Sequence, residues 1–458
     1  MAVGAFDWRA LLRRGPSELL SWTAIALSFL AIAVVGGWNA ANYKITLGYD
    51  YNSNAEYMHI LLDEHRIPTP QESLESRQPP LYYLVGGLAA RAGHWIFGWH
   101  EEPTKDLPEH SYRGAQILNT VFVLVTALLV LLLARTIAPR SPPMWAAAVA
   151  FFAFLPVVSK TEAMIHAEPM NMMLSTAAVW LTTKIVRRSV LSRGLLLALI
   201  LVLALGVATR ASIVFTAAAI AIALAVRYAP YLDRSRVRRH SVPIAVACVL
   251  LAAVVYWVVD GHHSGTLVEL LDIGHHLPGN RAAFFRLPLG EMFTTPFRSH
   301  YVNSAVGETY TEIWGDWIGS FAWSTFMGSP TGRILATLKN QSWIGLIPTL
   351  MALAGYGLLL WAALRKRRDL LAAALVPPIA IAGYLVRSYQ GFSPDGDLLK
   401  ATYILTTAPI WALCFGIAYD RLGRFRLLRI GLTATLIIFA VIELRFMLYG
   451  VRDGNPPF

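Results

Sequence analysis

The sequence predicts an all-α polytopic membrane protein of about eleven transmembrane helices, with interfacial helices in the first outer loop, and three observations carry that reading. The 458 residues are 56% hydrophobic and only 15% charged, with a mean hydropathy of +0.50, outside the range of soluble globular domains. Apolar runs of spanning length recur along the chain, separated by short polar clusters. The charges in those clusters are also segregated by sign, which accounts for the net +11 without a nucleic-acid partner.

The first apolar run, 19–38, follows Arg9, Arg13 and Arg14. That order resembles a signal peptide, but about twenty residues suffice to cross a bilayer, so an uncleaved first helix is expected. Further runs fall at 114–134, 142–159, 165–183, 194–209, 211–226, 242–259, 342–364, 370–386, 401–419 and 430–448. The runs at 194–209 and 211–226 are 16 residues each and flank Arg210, so they would form either one interrupted helix or two short ones. Orientation chooses between them. Segments 1–18, 135–142, 184–193, 227–241, 365–369 and 420–429 carry 22 Lys/Arg against 5 Asp/Glu, a balance of +17. The rest of the chain carries 17 against 23, a balance of −6. This is the asymmetry of a multi-pass protein of the cell membrane with its N-terminus cytoplasmic and its C-terminus outside. A single span over 194–226 would put Arg234, Arg236, Arg238 and Arg239 on the wrong side, so two helices meeting at Arg210 are expected. Cys248 and Cys414 both lie in apolar runs, and no disulfide framework is expected.

The chain 1–458 reads as a single transmembrane domain with a first outer loop at 40–113, a large outer loop at 261–341 and a shorter outer segment at 388–400. Loops of this length are usually functional. Leu81 to Trp99 is apolar but interrupted by glycines, Arg91 and His94, and reads as a helix lying in the outer interface. Treating it as a span would reverse every later loop. Just after the first span stands Gly48-Tyr49-Asp50. An amphipathic stretch over 56–62 follows, Pro68 and Pro70 end it, and Arg77-Gln78-Pro79-Pro80-Leu81-Tyr82-Tyr83 opens the next helix.

These stretches resemble the C-type membrane glycosyltransferases, a superfamily that includes protein O-mannosyltransferases and the aminoarabinose transferases of lipid A. The resemblance implies a sugar donor linked to polyprenyl phosphate and a glycan, lipid or protein acceptor, at the outer face of the cytoplasmic membrane. It matches Asp50 to the acidic residue of the first outer loop, and Gln78-Pro79-Pro80 to the motif opening the second interfacial helix. This chain has Asp50-Tyr51 where many relatives have Asp-Glu, Asn54 near a common histidine, and Gln78 where some carry a phosphate-holding lysine. Relatives often place a basic residue and a tyrosine at a late helix start, where Lys400 and Tyr403 stand.

The chemistry asks for one carboxylate as general base toward the acceptor hydroxyl, with Asp50 the candidate, and inversion at the anomeric carbon follows from direct attack. The leaving phosphate needs cations, and Lys160, Arg210, Arg387 and Lys400 stand near outer helix ends. Arg77, Gln78, Tyr82, Lys160, His166, Glu168, Arg210 and Lys400 make up the substrate-binding set. His166 and Glu168 could line the acceptor site or hold a divalent ion, while Glu168 could equally cap a helix start. No metal ligands are assigned, and divalent-metal dependence stays open. Arg210 could meet a phosphate or snorkel to the surface. Trp314, Asp316 and Trp317, in the aromatic stretch 310–323, are acceptor contacts or interfacial anchors. The paired histidines of 261–341 and the Asp395, Asp397 turn are weak metal signals. The rival class is a lipid or sugar transporter or flippase, which would place ionisable residues near the bilayer midplane and show an inverted repeat; no repeat is visible. A non-catalytic scaffold is the third.

Overall fold

A computed structural model describes residues 16–43, 45, 48–98, 112–188, 192–228, 281–297, 300, 303–315, 332–365, 367–390 and 399–448. All regular structure in these residues is helical. In chain order the helices are α1 (Pro16–Asn42), α2 (Tyr51–Asp63), α3 (Leu81–Phe97), α4 (Arg113–Ile137), α5 (Pro142–Ala153), α6 (Pro156–Ala163), α7 (Glu168–Arg187), α8 (Arg193–Thr209), α9 (Ile213–Tyr228), α10 (Leu289–Thr294), α11 (Ala305–Trp314), α12 (Gly332–Arg365), α13 (Leu371–Gln390), α14 (Ala408–Leu422) and α15 (Arg426–Met447). Short 3-10 turns cover Leu74–Arg77, Arg281–Phe285, Arg368–Leu370 and Ala401–Thr407.

Among the described residues, six helices are long and apolar enough to cross a membrane: Glu18–Asn42, Arg113–Ile137, Leu335–Arg365, Arg368–Tyr389, Ala401–Leu422 and Leu427–Met447. The pair α5 and α6 makes a seventh if counted as one broken span. The described residues thus support six or seven of the expected eleven, for identifiable reasons. The run at 165–183 forms α7, but Asn171, Ser175, Thr176, Thr182 and Thr183 dilute its apolar character, and all five are buried against neighbours. The runs flanking Arg210 fold as two helices of 17 and 16 residues, each short for a full crossing. The run at 242–259 lies outside the described residues.

Prolines punctuate the bundle. The run expected to be one helix over 142–159 is broken at Leu155, whose backbone is extended (φ −84°, ψ 111°), and α6 leaves α5 at 49°. The cause is Pro156, which lacks an N–H and disfavours the helical conformation in the residue before it. Pro348 in α12 and the pair Pro377-Pro378 in α13 stay inside continuous helices, as membrane helices tolerate when neighbours satisfy the freed carbonyls.

The core is assembled by close backbone approaches. A side chain at Gly355 would collide with the carbonyl of Cys414, and one at Gly114 with the carbonyl of Ala89, so glycine sets the crossings of α12 on α14 and of α4 on α3. Helices α1, α4, α5, α7 and α14 enclose the main apolar cluster. Large apolar side chains remain exposed along α1 (Leu20, Leu27, Leu30) and α15 (Leu427, Ile437, Val441), the pattern of surfaces that face lipid.

The helix ends define two faces. On the basic face, Arg187 at the end of α7 donates to the carbonyls of Thr136 and Ile137 at the end of α4, Arg227 at the end of α9 to Val186, and Arg368 to Val226. Ser141, before α5, donates to Asp420 of α14. On the opposite face, α2 and α3 pack on each other through Gly86 and Gly87, which admit Met58 and Leu62. Helix α3 buries Tyr82, Tyr83 and Ala90 and exposes Leu84, Leu88 and, at its end, Trp95 at 87%.

Candidate active site

The opposite face carries a polar depression built from five separate chain segments. Asp50 stands between α1 and α2 in the left-handed backbone region (φ 52°, ψ 28°), which few residues other than glycine occupy without strain. Its carbonyl accepts the backbone N–H (2.9 Å) and the side-chain amide (2.8 Å) of Asn54, which ties the turn to the first turn of α2. The carboxylate makes no capping bond to its own helix. It is turned instead toward Lys400, whose Nζ donates to Oδ2 at 3.4 Å, and its side chain keeps 22% of its surface exposed. Lys400 is buried, just before the 3-10 turn that leads into α14.

Under this pair lies a buried charged cluster. The Tyr49 ring has Lys400 Nζ 4.9 Å and Lys160 Nζ 5.0 Å from its centroid. Lys160 Nζ donates to Glu312 Oε1 and to the Tyr49 hydroxyl, each at 3.1 Å. The Tyr49 hydroxyl also donates to Glu312 Oε1, and the backbone N–H of Ala401 donates to Glu312 Oε2. One carboxylate on α11 thus gathers α6, the Gly48-Tyr49-Asp50 turn and the segment carrying Lys400. Lys160 is therefore engaged beneath the site, not at an outer surface.

A cavity of about 560 Å3 has walls that include Glu75, Arg77, Gln78, Glu168, Arg210, Ser212, Tyr384, Arg387 and Tyr403, and its Glu75 lies within electrostatic reach of Asp50. Arg210 occupies the extended link between α8 and α9 (φ −160°, ψ 137°). It is buried, its Nε lies 2.6 Å from Glu168 Oε1, and its guanidinium sits 5.7 Å from the centre of the Tyr403 ring. Glu168 opens α7 but takes its partners from side chains, accepting also from Asn171 Nδ2 at 3.1 Å. Asn171 Nδ2 in turn donates to Ser212 Oγ at 2.8 Å. The snorkelling alternative for Arg210 gives way to this ion pair on the cavity wall. Among the walls' titratable groups three guanidiniums face two carboxylates, and Glu168 is already bound to one guanidinium. Glu75, on the 3-10 turn before Gln78, accepts from the Tyr83 hydroxyl at 3.2 Å. Burial pushes its carboxyl above the usual 4.5, an effect that Arg210 opposes and Asp50 reinforces.

The substrate-binding set is therefore divided. Arg77, Gln78, Glu168 and Arg210 line one cavity; Asp50 and Lys400 pair with each other outside its lining, close enough for both charges to act on Glu75 of its wall. Tyr82 does not join them. Its side chain is fully buried, and its hydroxyl accepts from Asn119 Nδ2 at 3.2 Å. His166 is buried too, its Nδ1 accepting from the Glu168 backbone N–H at 3.4 Å. Trp314, considered as an acceptor contact, packs edge-on against Phe151 and Phe439 and donates to Thr349 Oγ1 at 3.1 Å. Asp316, Trp317, the histidine pairs and Asp395, Asp397 lie outside the described residues. No group of three or more His, Cys, Asp or Glu side chains converges among the described residues, and the Glu168 carboxylate is engaged by Arg210 and Asn171.

Glu75 and Glu312 escaped sequence reasoning. Each stands in a segment otherwise read for its prolines or its tryptophans, and the signal was acidity close to a motif rather than within it. A second cavity, of about 430 Å3 and almost wholly apolar, is lined by Leu155, Ile313, Ile381, Leu385, Ile404 and Leu405 among others, and shares Tyr384 with the polar one.

No protein-family profile and no curated protein matches the sequence. Among solved structures, the chain is similar to ArnT from Cupriavidus metallidurans in the apo state, with 17% identity over 95% of this chain and 66% of that one, at a TM-score of 0.49. For the same protein bound to undecaprenyl phosphate the values are 16%, 91%, 63% and 0.46. For the archaeal oligosaccharyltransferase AglB from Archaeoglobus fulgidus, in complex with an inhibitory peptide and a dolichol-phosphate, they are 12%, 96%, 57% and 0.49. The chain spans between 57% and 66% of the length of these structures. Each of these similarities runs along more than nine-tenths of this chain at under 20% identity.

Proposed function

We propose that the chain is a membrane glycosyltransferase that moves a sugar from a polyprenyl-phosphate donor to an acceptor at the outer face of the cytoplasmic membrane. The observation that carries this reading is the Asp50–Lys400 pair standing half-open beside a cavity walled by Arg77, Arg210 and Arg387. In the proposed reaction the acceptor hydroxyl attacks the anomeric carbon and gives its proton to the Asp50 carboxylate. A new carbon–oxygen bond forms as the bond to the carrier phosphate oxygen breaks, and the electron pair leaves on the phosphate. With one base and direct attack, the anomeric configuration inverts. The leaving phosphate is already anionic, so the requirement is cationic stabilisation and not a second acid. Arg77 and Arg387 are exposed on the cavity wall to supply it, while Arg210, fixed by Glu168, presents an oriented guanidinium. The adjoining apolar cavity suits the first isoprene units of the carrier. Sugar, acceptor and carrier length are left open.

The test is incubation of the purified protein with a panel of polyprenyl-phosphate sugars, following free carrier phosphate and the product linkage by NMR. The expected result is release of carrier with one donor class and an inverted linkage. Release with none of them, alongside movement of donor lipid across vesicles, would favour transport. A retained linkage would remove the single-step mechanism.

A further inference from the structure

The basic face carries a second charged cavity, remote from Asp50. Arg187, Arg227, Arg367, Arg368, Asp369 and Val186 line a space of about 400 Å3 where the ends of α7 and α9 meet the turn between α12 and α13. Among the described residues, Asp369 is its one carboxylate. It accepts from Arg187 Nε at 2.8 Å and from Arg367 Nε and Nη2 at 2.9 Å each. The guanidiniums also rest on helix C-termini. Arg187 and Arg367 donate to Ile137 of α4 at 3.4 and 3.3 Å, Arg227 to Val186 of α7 at 3.2 Å, and Arg368 to Val226 of α9 at 3.4 Å. Converging carbonyl dipoles are what allow four cations to sit this close together. Among the described residues, four guanidiniums against one carboxylate leave the lining at +3.

Two further observations say what fits there. The first is depth. Lys184 Nζ lies 4.2 Å from the Trp180 ring centre, the Arg365 guanidinium 5.2 Å from that of Trp361, and the Arg135 guanidinium 5.3 and 5.7 Å from those of Trp145 and Trp22. Tryptophans paired with cations at one level mark a membrane–water boundary. Arg187 stands one turn beyond Lys184, and Arg367 two residues beyond Arg365, which sets the cavity next to these tryptophan–cation pairs. The second is the flank. Val226, whose carbonyl accepts from Arg368, is 40% exposed, and Ile222, one turn toward the bilayer centre, is 45% exposed. Helix α9 thus runs an open apolar stripe away from the guanidiniums.

We propose that this cavity binds the phosphate of an anionic phospholipid in the cytoplasmic leaflet, with an acyl chain lying along Ile222 and Val226. Guanidiniums match phosphate oxygens in bidentate geometry, and basic pockets between helices at the inner boundary hold anionic headgroups. The inference is independent of the sugar-transfer reading and rests only on the basic face being cytoplasmic.

The experiment is thermal unfolding of the full chain in detergent with added phosphatidylglycerol, phosphatidylcholine or glycerol 3-phosphate. Phosphatidylglycerol is expected to raise Tm on the order of 2–4 °C, and the other two to leave it unchanged. In Arg227→Gln/Arg368→Gln, which spares the Arg187–Asp369–Arg367 contacts, the shift should fall by at least about half. It should persist in Arg421→Gln/Arg424→Gln, an equal charge loss elsewhere on that face. If the first double variant does not fold, Arg368→Gln alone and native mass spectrometry of lipid retained by the wild type carry the same comparison. Equal losses in both double variants would reduce the effect to diffuse attraction and overturn the site. A full shift with glycerol 3-phosphate would overturn the lipid assignment, and so would no shift with phosphatidylglycerol.

Discussion

Three acidic side chains at the site do three different jobs, and their surroundings explain why. Asp50 is half-open, left-handed and paired with one lysine; Glu168 is sealed against Arg210; Glu75 is squeezed by burial. Breaking the Glu168–Arg210 pair leaves one buried charge uncompensated, at a cost of about 3–5 kcal/mol. Arg210→Gln and Glu168→Gln should each lower Tm sharply, and the double variant should regain most of the loss. Additive losses would show that the two do not act as a pair. For Glu75 the sign follows from its raised carboxyl. Its contribution to folding is complete below the ordinary value of 4.5 and is lost as pH rises through the higher folded value. Over about pH 4 to 8, the Tm of the wild type should therefore fall relative to Glu75→Gln, the gap closing at the acid end. A gap that does not vary with pH would contradict this. Asp50, Lys400 and Arg210 were legible as single residues because each is a charge placed where a charge is expensive or in a motif. Glu75 and Glu312 were not, because their importance comes from hydrogen-bond partners 8 to 263 positions away in the chain, which periodicity does not encode.

At the scale of elements, Glu312 joins pieces that would otherwise only touch. It holds α11 to Lys160 of α6, to Tyr49, and to the backbone entering the 3-10 turn at Ala401. Glu312→Gln should weaken that hold, raising hydrogen exchange over 305–314 and reducing turnover with donor affinity less affected. Unchanged exchange there would make the carboxylate incidental. The break between α5 and α6 had its cause in plain view at Pro156, yet the apolar run continues through it, and hydropathy alone read one straight helix. The link at Arg210 was legible because charge balance, a property of distant loops, forced it. Where a glycine sets a helix crossing the expectation is equally direct. Gly355→Ala should cost about 1–3 kcal/mol by wedging α12 off α14.

At the scale of the whole molecule, segments assigned to one side by charge do meet on one face, where Arg187, Arg227 and Arg368 cross-link the ends of α4, α7 and α9. The sidedness itself is open to a labelling experiment. In a background lacking Cys248 and Cys414, Arg66→Cys should react with an impermeant maleimide on intact cells, and Arg424→Cys only after permeabilisation. The reverse pattern would invert the topology. The number of crossings was hard to read, because buried hydroxyls and amides in α7 dilute hydropathy without making the helix any less internal. The central claim, one carboxylate acting beside a cationic cavity, is tested most directly by single-turnover transfer in Asp50→Asn. Asparagine tolerates the left-handed backbone that aspartate occupies here, so the change removes charge and leaves the turn intact. Transfer should fall by about 10²- to 10⁴-fold, with Tm and donor binding held near wild type. Undiminished turnover from that variant would contradict the account.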